Sequence, residues 1–393
     1  MTPKGWTEKS LSQLSSKPIS YGVVQTGEPV DNGIPCVRVV DLTSSEIDVD
    51  AMITTTDAIN QSYKKTILEK NDLMIALRGE IGLVRIVEDA LVDRNLTRGL
   101  ARVSPIKSIV YPNFLLWALR SPLCKKEFIR RVNGSALKEI SINELRKVPV
   151  IFPSLERQKK ISNILDTWDD AISTTEKLIT AKQKLQKALL SSLLELEAIT
   201  PVPIGRVCSS IVPARNKPKV FDGDIPWLTI ADLEGKMYVQ SSLLGLLVSR
   251  QELTRIKSKT IPHRTVIMSC VGKFGIAAIA ARELVINQQL HGFICGDEIV
   301  PEYLCWALRA KSREIKAASG QTTVSYLNRD QCESIKIKVP SLTEQERIAD
   351  ILNTSQKEIN ILMSVKEDIQ TQKRGLMQKL LTGEWPVTVE GAG

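Results

Sequence analysis

The stretch Pro112-Asn-Phe-Leu-Leu-Trp-Ala-Leu-Arg120 occurs twice in the chain, the second time as Pro301-Glu-Tyr-Leu-Cys-Trp-Ala-Leu-Arg309, with six of nine positions identical. A longer stretch, Pro153-Ser-Leu-Glu-Arg-Gln-Lys-Lys-Ile-Ser-Asn-Ile-Leu-Asp166, returns as Pro340-Ser-Leu-Thr-Glu-Gln-Glu-Arg-Ile-Ala-Asp-Ile-Leu-Asn353, with seven of fourteen identical. Shorter matches lie upstream in the same order, at Ile34-Pro35 and Asp41-Leu42 with Ile225-Pro226 and Asp232-Leu233, and at Gly79 and Gly82 with Gly272 and Gly275. Recurrence in one order at nearly one spacing indicates two copies of a single structural unit.

The first part of each copy has the pattern of a small mixed domain. Short apolar runs such as Cys36-Val-Arg-Val-Val40 and Asn71-Asp-Leu-Met-Ile-Ala-Leu77 predict strands, glycine-bearing turns separate them, and a helix is predicted around Trp117. Because the strands are short and the helices few, regular alternation of strand and helix is not expected. The sequence therefore predicts an α+β fold for both globular parts.

The second part of each copy predicts one long helix. Pro153-Ser154 and Pro340-Ser341 place a proline and a capping serine at the two helix starts, and the second helix is expected to stop at Thr382-Gly383. Apolar residues recur at steps of three and four over about 40 residues, which is about 60 Å of helix. They are Ile161, Leu165, Trp168, Ile172, Ile179, Leu189, Leu193 and Leu196 in the first helix, and Ile348, Leu352, Ile359, Leu362, Ile369, Leu376 and Leu380 in the second.

The two helices are expected to pair, because a long helix with one apolar seam would otherwise leave that seam in water. The chain order of domain, helix, domain, helix makes the pair an antiparallel coiled coil, with a pseudo-two-fold axis relating the two copies. The predicted organisation is a globular domain at 1–150, a spacer helix at 151–199, a second globular domain at 200–337, a second spacer helix at 338–383 and a C-terminal tail at 384–393.

Composition excludes several other classes of protein. The chain has 393 residues, of which 43% are hydrophobic and 25% charged, as in an ordinary packed protein. The longest apolar runs are far shorter than a membrane span, and the N-terminus lacks the apolar run of a secretory signal. Seven cysteines without a C-x-x-C pair, together with only two histidines, do not form a zinc-binding pattern. We expect a soluble cytoplasmic protein without a structural metal.

The net charge of +9 favours an anionic partner. Residues 1 to 150 carry +4 and residues 200 to 337 carry +6, whereas the helical segments are nearly neutral. Two basic domains on a neutral connector are typical of a protein whose two domains each contact nucleic-acid phosphate. An uneven scatter of surface lysines would give the same net charges. Aromatic residues make up only 5% of the chain, which favours double-stranded over single-stranded DNA.

The doubled arrangement resembles the specificity (S) subunit of type I restriction-modification enzymes. The resemblance covers nearly the whole chain and rests on the Ile-Pro and Asp-Leu segments, the turns Gly134-Ser-Ala-Leu and Gly320-Gln-Thr-Thr, and above all Pro-Ser-Leu-x-x-Gln at each helix start. The first copy departs from the family's Glu-Gln at that motif, since it has Arg157-Gln158 where the second has Glu344-Gln345. That difference puts equal docking of partners at both ends in doubt.

The resemblance implies a DNA-recognition role without catalysis in this chain. Each globular part would be a target-recognition domain that reads one half of a bipartite, asymmetric duplex site, and the coiled coil would set the spacing. Two modification (methyltransferase) subunits would dock on the chain and transfer methyl groups from S-adenosylmethionine to adenine N6. A restriction subunit that translocates and cuts DNA with ATP and Mg²⁺ would join them, so the cofactors would all be bound by partners.

Side-chain chemistry predicts the contact residues, since arginine, lysine, asparagine and glutamine near turns can reach base edges or phosphates. For DNA they are Arg78, Arg94, Asn95, Arg98 and Lys138 in the first copy and Lys217, Lys219, Lys273, Asn287, Gln288, Gln289, His291 and Gln321 in the second, with Lys64 and Lys65 as further phosphate contacts. For partner docking they are Gln158, Trp168, Glu344 and Gln345.

Two other functions remain open at this point. One is a related single-chain modification component or a stand-alone DNA-binding scaffold, which would differ in partner rather than in shape. The other is a coiled-coil adaptor whose paired domains bind proteins and whose positive charge is incidental. Affinity for random duplex that falls steeply with salt separates DNA binding from the adaptor.

Overall fold

The structure is a computed structural model and describes residues 2–43, 47–132, 138–213, 216–318 and 326–388. The chain divides by spatial contact into two units. Unit 1 comprises Met1–Thr175 with Val365–Gly393, and unit 2 comprises Glu176–Ser364. Each unit therefore contains one globular part and one half of each long helix, so the packing units do not end at the helix starts.

The strands are short throughout the described chain. They are β1 (Thr7–Ser10), β2 (Ser20–Tyr21), β3 (Ile34–Val37), β4 (Ile53–Thr55), β5 (Leu73–Ala76), β6 (Val84–Ile86), β7 (Asn95–Leu96), β8 (Leu100–Val103), β9 (Pro149–Phe152), β10 (Val202–Pro203), β11 (Cys208–Ile211), β12 (Ile225–Leu228), β13 (Tyr238–Val239), β14 (Leu247–Val248), β15 (Val266–Ser269), β16 (Ala277–Ala280), β17 (Val285–Ile286), β18 (Leu290–Cys295) and β19 (Lys336–Ile337).

Two of the helices are far longer than the others. The helices are α1 (Asp57–Ser62), α2 (Pro112–Arg120), α3 (Pro122–Arg130), α4 (Ile142–Arg146), α5 (Leu155–Leu194), α6 (Ile204–Val207), α7 (Ile230–Leu233), α8 (Arg250–Ile256), α9 (Pro301–Ala310), α10 (Ser312–Ala318), α11 (Arg329–Glu333) and α12 (Leu342–Leu381). Short 3₁₀ turns at Leu11–Leu14, Val40–Thr43, Lys64–Thr66 and Asp89–Leu91 complete the described elements.

The sheets of the two units follow one plan. In unit 1 an antiparallel sheet has the order β2-β8-β5-β6 and a second sheet has the order β4-β3-β7, in which β3 and β7 are parallel. In unit 2 the corresponding orders are β11-β18-β15-β16-β13 and β14-β12-β17, again with a parallel pair, β12 and β17. The predicted α+β class and internal repeat are confirmed.

The repeated Ile-Pro and Asp-Leu segments are explained by a turn after β3 and after β12. The Asp41 carboxylate accepts a hydrogen bond from the Arg38 backbone N–H at 2.7 Å, and Asp232 accepts one from the Thr229 backbone N–H at 2.6 Å. The strand predicted at 36–40 therefore ends at Val37, because this aspartate folds the chain back as a local cap.

The recurring Trp-Ala-Leu-Arg stretch attaches each globular part to a long helix. In unit 1 the Trp117 indole Nε1 donates to Asp166 Oδ1 of α5 at 2.8 Å, and in unit 2 the Trp306 Nε1 donates to Asn353 Oδ1 of α12 at 2.9 Å. The buried faces of α2 and α9 pack on the main sheets, so this contact joins the core of each globular part to the long helix. It also gives each buried indole N–H a hydrogen-bond partner.

The glutamine of each Pro-Ser-Leu-x-x-Gln motif holds the start of the long helix. Gln158 is fully buried; its Oε1 accepts from the Tyr111 N–H at 2.7 Å and its Nε2 donates to Ile109 O at 3.1 Å. Gln345 repeats this, with Oε1 accepting from the Val300 N–H at 2.8 Å. These bonds satisfy backbone groups ahead of α2 and α9 that would otherwise be buried without partners.

The long helices each span 40 residues and run antiparallel within both units. In unit 2 the Lys182 Nζ lies 2.7 Å from Glu358 Oε2, and Gln186 Nε2 donates to Gln356 Oε1 at 3.3 Å, so residue numbers fall along α12 as they rise along α5. In unit 1 Asp169 of α5 pairs with Lys373 of α12. The predicted antiparallel pairing is confirmed. Within the described residues no helix combines the length and hydropathy of a membrane span.

Candidate nucleic-acid interface

Unit 1 contains a depression beside the turn that connects β7 to β8. Its volume is about 480 Å³, and Arg38, Arg78 and Arg98 line it together with the apolar residues Val39 and Val40. No acidic residue is among the described residues that line it. The depression is therefore a concave basic surface of the kind that suits an anionic ligand.

Two of these arginines have free hydrogen-bonding capacity. Among the described residues, neither the Arg78 nor the Arg98 guanidinium forms a hydrogen bond or ion pair, and Arg98 is exposed. Arg38 is instead held by Asp41, with Nη2 at 2.7 Å from Oδ1, and this hydrogen bond raises the pKa of Arg38. Arg78 and Arg98 can thus offer guanidinium donors to a ligand, whereas Arg38 contributes charge from a fixed position.

Unit 2 contains a depression beside the turn that connects β17 to β18. Its volume is about 260 Å³, and its lining includes Lys217, Asn287, Gln288 and Gln289 next to the Trp227 ring. The Asn287 Nδ2 donates to Gln289 Oε1 at 3.1 Å, and the Gln289 N–H donates to Asn287 Oδ1 at 3.0 Å. These bonds order the turn and leave the Gln288 side chain exposed at its tip.

The two turns occupy the same place in the repeat. The Thr97 N–H donates to Val37 O at 2.9 Å, and the Asn287 N–H donates to Leu228 O at 2.9 Å, so each turn begins with the same bond to the parallel neighbour strand. Arg98 in one unit and Gln288 in the other both follow that bonded residue and are both exposed. One backbone position therefore presents side chains of different hydrogen-bonding chemistry.

Comparison with known proteins identifies the family of this chain. Residues 3–183 and 206–371 match the family described as "Type I restriction modification DNA specificity domain". The chain belongs to this family. The predicted resemblance is thereby confirmed, and recognition of DNA in a type I restriction-modification system is the function of the family.

The chain is similar to named relatives over different lengths. It is 25% identical to the putative type I restriction enzyme MjaX specificity subunit of Methanocaldococcus jannaschii over 97% of this chain and 94% of that protein. It is 28% identical to the type I restriction enzyme EcoBI specificity subunit of Escherichia coli over 51% of this chain and 40% of that protein. The crystal structure of the type I S subunit from M. genitalium has the same fold, with a TM-score of 0.61 at 16% identity over 99% of this chain and 100% of that one.

Two of the DNA candidates prove to be buried structural residues. Asn95 is fully buried; its Nδ2 donates to Asn60 Oδ1 at 2.7 Å and its Oδ1 accepts from Thr66 Oγ1 at 2.8 Å. His291 is only 2% exposed, its Nε2 lies 2.9 Å from Ser210 Oγ, and burial lowers its pKa to about 4. Their assignment to DNA contact is corrected, because the groups that would bind are enclosed and already bonded.

The other DNA candidates are distributed more widely. Arg94 is half-buried, and its Nε has no hydrogen-bond partner among the described residues. Lys273 is exposed and paired with Glu234 at 2.8 Å, which reduces its availability. Exposed positions outside the two depressions are Lys64, Lys65, Lys138 and Lys219. Gln321 and the turns at 134–137 and 320–323 lie outside the described residues. All of these remain predictions.

The docking candidates also divide into two groups. Gln158 and Gln345 are fully buried and bonded to backbone groups of their own units, so their assignment to partner docking is corrected. Trp168 and Glu344 are half-buried, and Glu344 is paired with Arg347 at 2.7 Å, which lowers the pKa of Glu344. Trp168 and Glu344 stay predictions.

Sequence reasoning missed Arg38 and Trp227 as lining residues. Arg38 stands inside the apolar run Val37-Arg-Val-Val40, where a single charge in a strand-like segment was the available signal. Trp227 is mostly buried, and its ring packs edge-on against the Phe221 ring, with 5.6 Å between the ring centroids. Among the described residues, no group of three or more histidine, cysteine, aspartate or glutamate side chains is arranged to hold a metal ion.

Proposed function

We propose that this chain reads a bipartite, asymmetric duplex site, with unit 1 reading one half and unit 2 the other, as the DNA-recognition subunit of a type I restriction-modification complex. The observation that supports this most directly is the pair of matched turns, in which Arg98 and Gln288 occupy one backbone position with unlike side chains. A repeat that keeps its backbone and changes its exposed polar side chains is suited to recognising two different sequences.

The proposal assigns base preferences from hydrogen-bonding chemistry. Arginine donates two hydrogen bonds to O6 and N7 of guanine, and glutamine pairs with N6 and N7 of adenine in the major groove. Arg78 and Arg98 therefore favour guanine in the half-site of unit 1, and Gln288 favours adenine in that of unit 2. Each such pair discriminates against the wrong base by about 1–3 kcal/mol, which is roughly 5- to 150-fold. Lys217 binds phosphate and fixes register.

The remaining parts of the proposal extend the membership of the family to spacing, partners and cofactors. The lengths of α5 and α12 determine the number of base pairs between the half-sites, and the helices carry two modification subunits. Those subunits hold S-adenosylmethionine and methylate adenine N6, while a restriction subunit uses ATP and Mg²⁺ to translocate and cut. The support is that relatives are named specificity subunits, and that a chain of the same fold, with a TM-score of 0.64, comes from work on complex assembly of a type I system.

Selection of bound duplexes from a random pool tests the proposal. The full chain, alone and with its modification subunit, is incubated with random duplexes, and the retained DNA is sequenced. The proposal expects two short conserved blocks that differ in sequence and are separated by a fixed number of unconserved base pairs. A single block, two identical blocks, or retention without any sequence preference would contradict it. A chain that retains no duplex at any salt concentration would favour the protein adaptor instead.

A further inference from the structure

A second concave surface of unit 1 lies beside the long helices and is separate from the base-reading depression. Its volume is about 710 Å³, and it is bounded by the β5–β6 hairpin, by α2 and α3, and by the unit 1 halves of α5 and α12. Five basic residues line it, against two acidic ones, Glu80 and Asp169. The basic residues are Arg85, Arg120, Lys125, Lys373 and Arg374. This surface is called the helix groove below.

One of the two acids is already neutralised. The Asp169 carboxylate is paired with Lys373 and lies 3.8 Å from the Arg120 guanidinium. The Lys373 ammonium also sits 4.2 Å from the centre of the Trp117 ring, and Arg120 lies 5.2 Å from the same ring. Burial lowers the pKa of both Lys373 and Arg120. Two cations thus share one carboxylate, so an additional anion would be stabilised next to them.

Positive charge also lies at the open side of the helix groove. Lys125 and Arg374 are both exposed. Lys125 has no ion-pair or hydrogen-bond partner for its ammonium among the described residues, and the Arg374 Nη2 donates only to the Thr371 hydroxyl, at 3.1 Å. These two side chains can therefore turn toward a ligand without breaking an existing ion pair.

Unit 2 repeats only part of this charge: Arg309 takes the place of Arg120 and Lys187 that of Arg374. The helix offset of 187 residues places Gln356 at the position of Asp169 and Gln186 at that of Lys373, and these two amides are hydrogen-bonded to each other at 3.3 Å. Ala278 stands where unit 1 has Arg85, next to Ala277 O, which accepts from Arg309 as Val84 O accepts from Arg120. Because a neutral pair occupies these positions in unit 2, the shared fold alone does not require the charged pair of unit 1.

The helix groove and the depression of unit 1 are lined by consecutive residues of one turn. Arg78 and Gly79 line the depression, and Glu80 is the first of the hairpin residues that line the helix groove. Gly79 has a φ of +68°, which lets the backbone change direction at this junction. Two adjoining basic surfaces on one hairpin suit a ligand that carries charge at regular intervals. DNA has this property, and a short acidic peptide segment needs only one of the surfaces.

We propose that the helix groove of unit 1 binds the phosphate backbone of the duplex that flanks the unit 1 half-site, and that unit 2 has no equivalent contact. The inference rests on the proposed function, since it needs DNA in the neighbouring depression. It makes the two ends of the molecule electrostatically unequal, with the larger phosphate footprint on unit 1.

The test is the salt dependence of duplex binding by the full chain. Binding of a fluorescent random-sequence duplex is titrated between low and moderate salt for the chain and for the double variant Lys125→Ala with Arg374→Ala. Because each lost phosphate contact reduces the slope of log K against log salt by about 0.9, the slope should fall by about 2. The matched control is Lys126→Ala with Lys187→Ala. Lys126 is the exposed neighbour of Lys125 outside the helix groove, and Lys187 takes the place of Arg374 in unit 2.

The outcomes separate the two proposals. A lower slope in the groove variant and an unchanged slope in the control support the phosphate contact, whereas equal slopes in all three proteins, or equal losses in both variants, overturn it. If the groove variant keeps its slope and instead releases the modification subunit in a DNA-free pull-down, the helix groove binds protein and the inference is wrong. A parent chain that binds no duplex removes the proposed function as well. If the parent chain binds duplex sequence-selectively and the groove variant has the same salt slope as the parent, only this inference is wrong.

Discussion

Replacing Gln345 with alanine should destabilise unit 2 strongly, although the motif that contains it first suggested a partner-docking role. The side chain is fully buried and makes three hydrogen bonds to backbone groups. Its Oε1 accepts from the Val300 N–H at 2.8 Å, and its Nε2 donates to Glu298 O at 2.9 Å and to Pro340 O at 2.8 Å. Alanine removes all three bonds and supplies no replacement.

The magnitude follows from the groups that are left behind. A buried donor or acceptor without a partner costs about 1–3 kcal/mol. If two of the three backbone groups remain without a hydrogen-bond partner, the free energy of unfolding of unit 2 should fall by roughly 2–6 kcal/mol, and the third group would be satisfied by water or a small backbone shift. The largest local effect should appear at the first turn of α9, because the Val300 amide immediately precedes it.

Denaturant unfolding of the full chain, combined with hydrogen exchange of peptides that contain α9, measures this loss. The control is Glu346→Ala, an exposed neighbour on α12 that should change stability by less than about 0.5 kcal/mol. Gln158→Ala should produce the same loss in unit 1, seen in peptides that contain α2. A Gln345→Ala protein with parental stability and exchange that fails to bind its modification subunit would refute the reasoning and restore the docking role.

Three further predictions test other contacts. Because burial lowers the pKa of His291 to about 4, the unfolded chain binds a proton that the native chain does not as pH falls from about 6.5 to 4. The stabilisation present above pH 6.5 should decline across that range by up to about 3 kcal/mol, and His291→Gln should flatten the profile; a parental profile in the variant would contradict this. Cys208 and Cys295 are free thiols opposite each other in β11 and β18, so diamide should join them in a disulfide detectable by peptide mass spectrometry, and persistent free thiols at both would show that the register is wrong. Gly82→Ala should cost about 2 kcal/mol or more in thermal unfolding, because φ is +79° and the added Cβ would lie 2.6 Å from the Phe128 ring; an unchanged melting temperature would exclude that close approach.

The repeat and the two long helices were predictable from sequence because their signals lie in short stretches of neighbouring residues. Helical spacing of apolar residues and the Pro-Ser starts depend on neighbours within a few turns, and the predicted length of about 40 residues agrees with Leu155–Leu194 and Leu342–Leu381. Leu196, which was expected in the first seam, lies beyond the end of α5. The strand boundary after Val37 was missed because local hydrogen bonds from the Arg38 backbone and guanidinium to Asp41 outweigh an apolar run.

The candidate site was only partly predictable because burial of a polar side chain depends on residues far along the chain. Asn95 is enclosed by Asn60, 35 residues away, and His291 by Ser210, 81 residues away. Their residue types are as suited to DNA contact as those of Arg98 and Gln288, and only the fold separates the enclosed side chains from the exposed ones. The helix groove depends on Asp169 and Lys373, 204 residues apart, and therefore has no local signature.

The measurement that tests the central claim most directly is the sequence preference of Gln288→Arg compared with that of the parent chain, obtained by the same selection from random duplexes. If the two matched turns read separate halves, one position in one block should change from adenine to guanine, while the other block and the spacing stay as they were. Changes in both blocks, or an unaltered motif with parental affinity, would show that the turns after β7 and β17 do not read DNA independently.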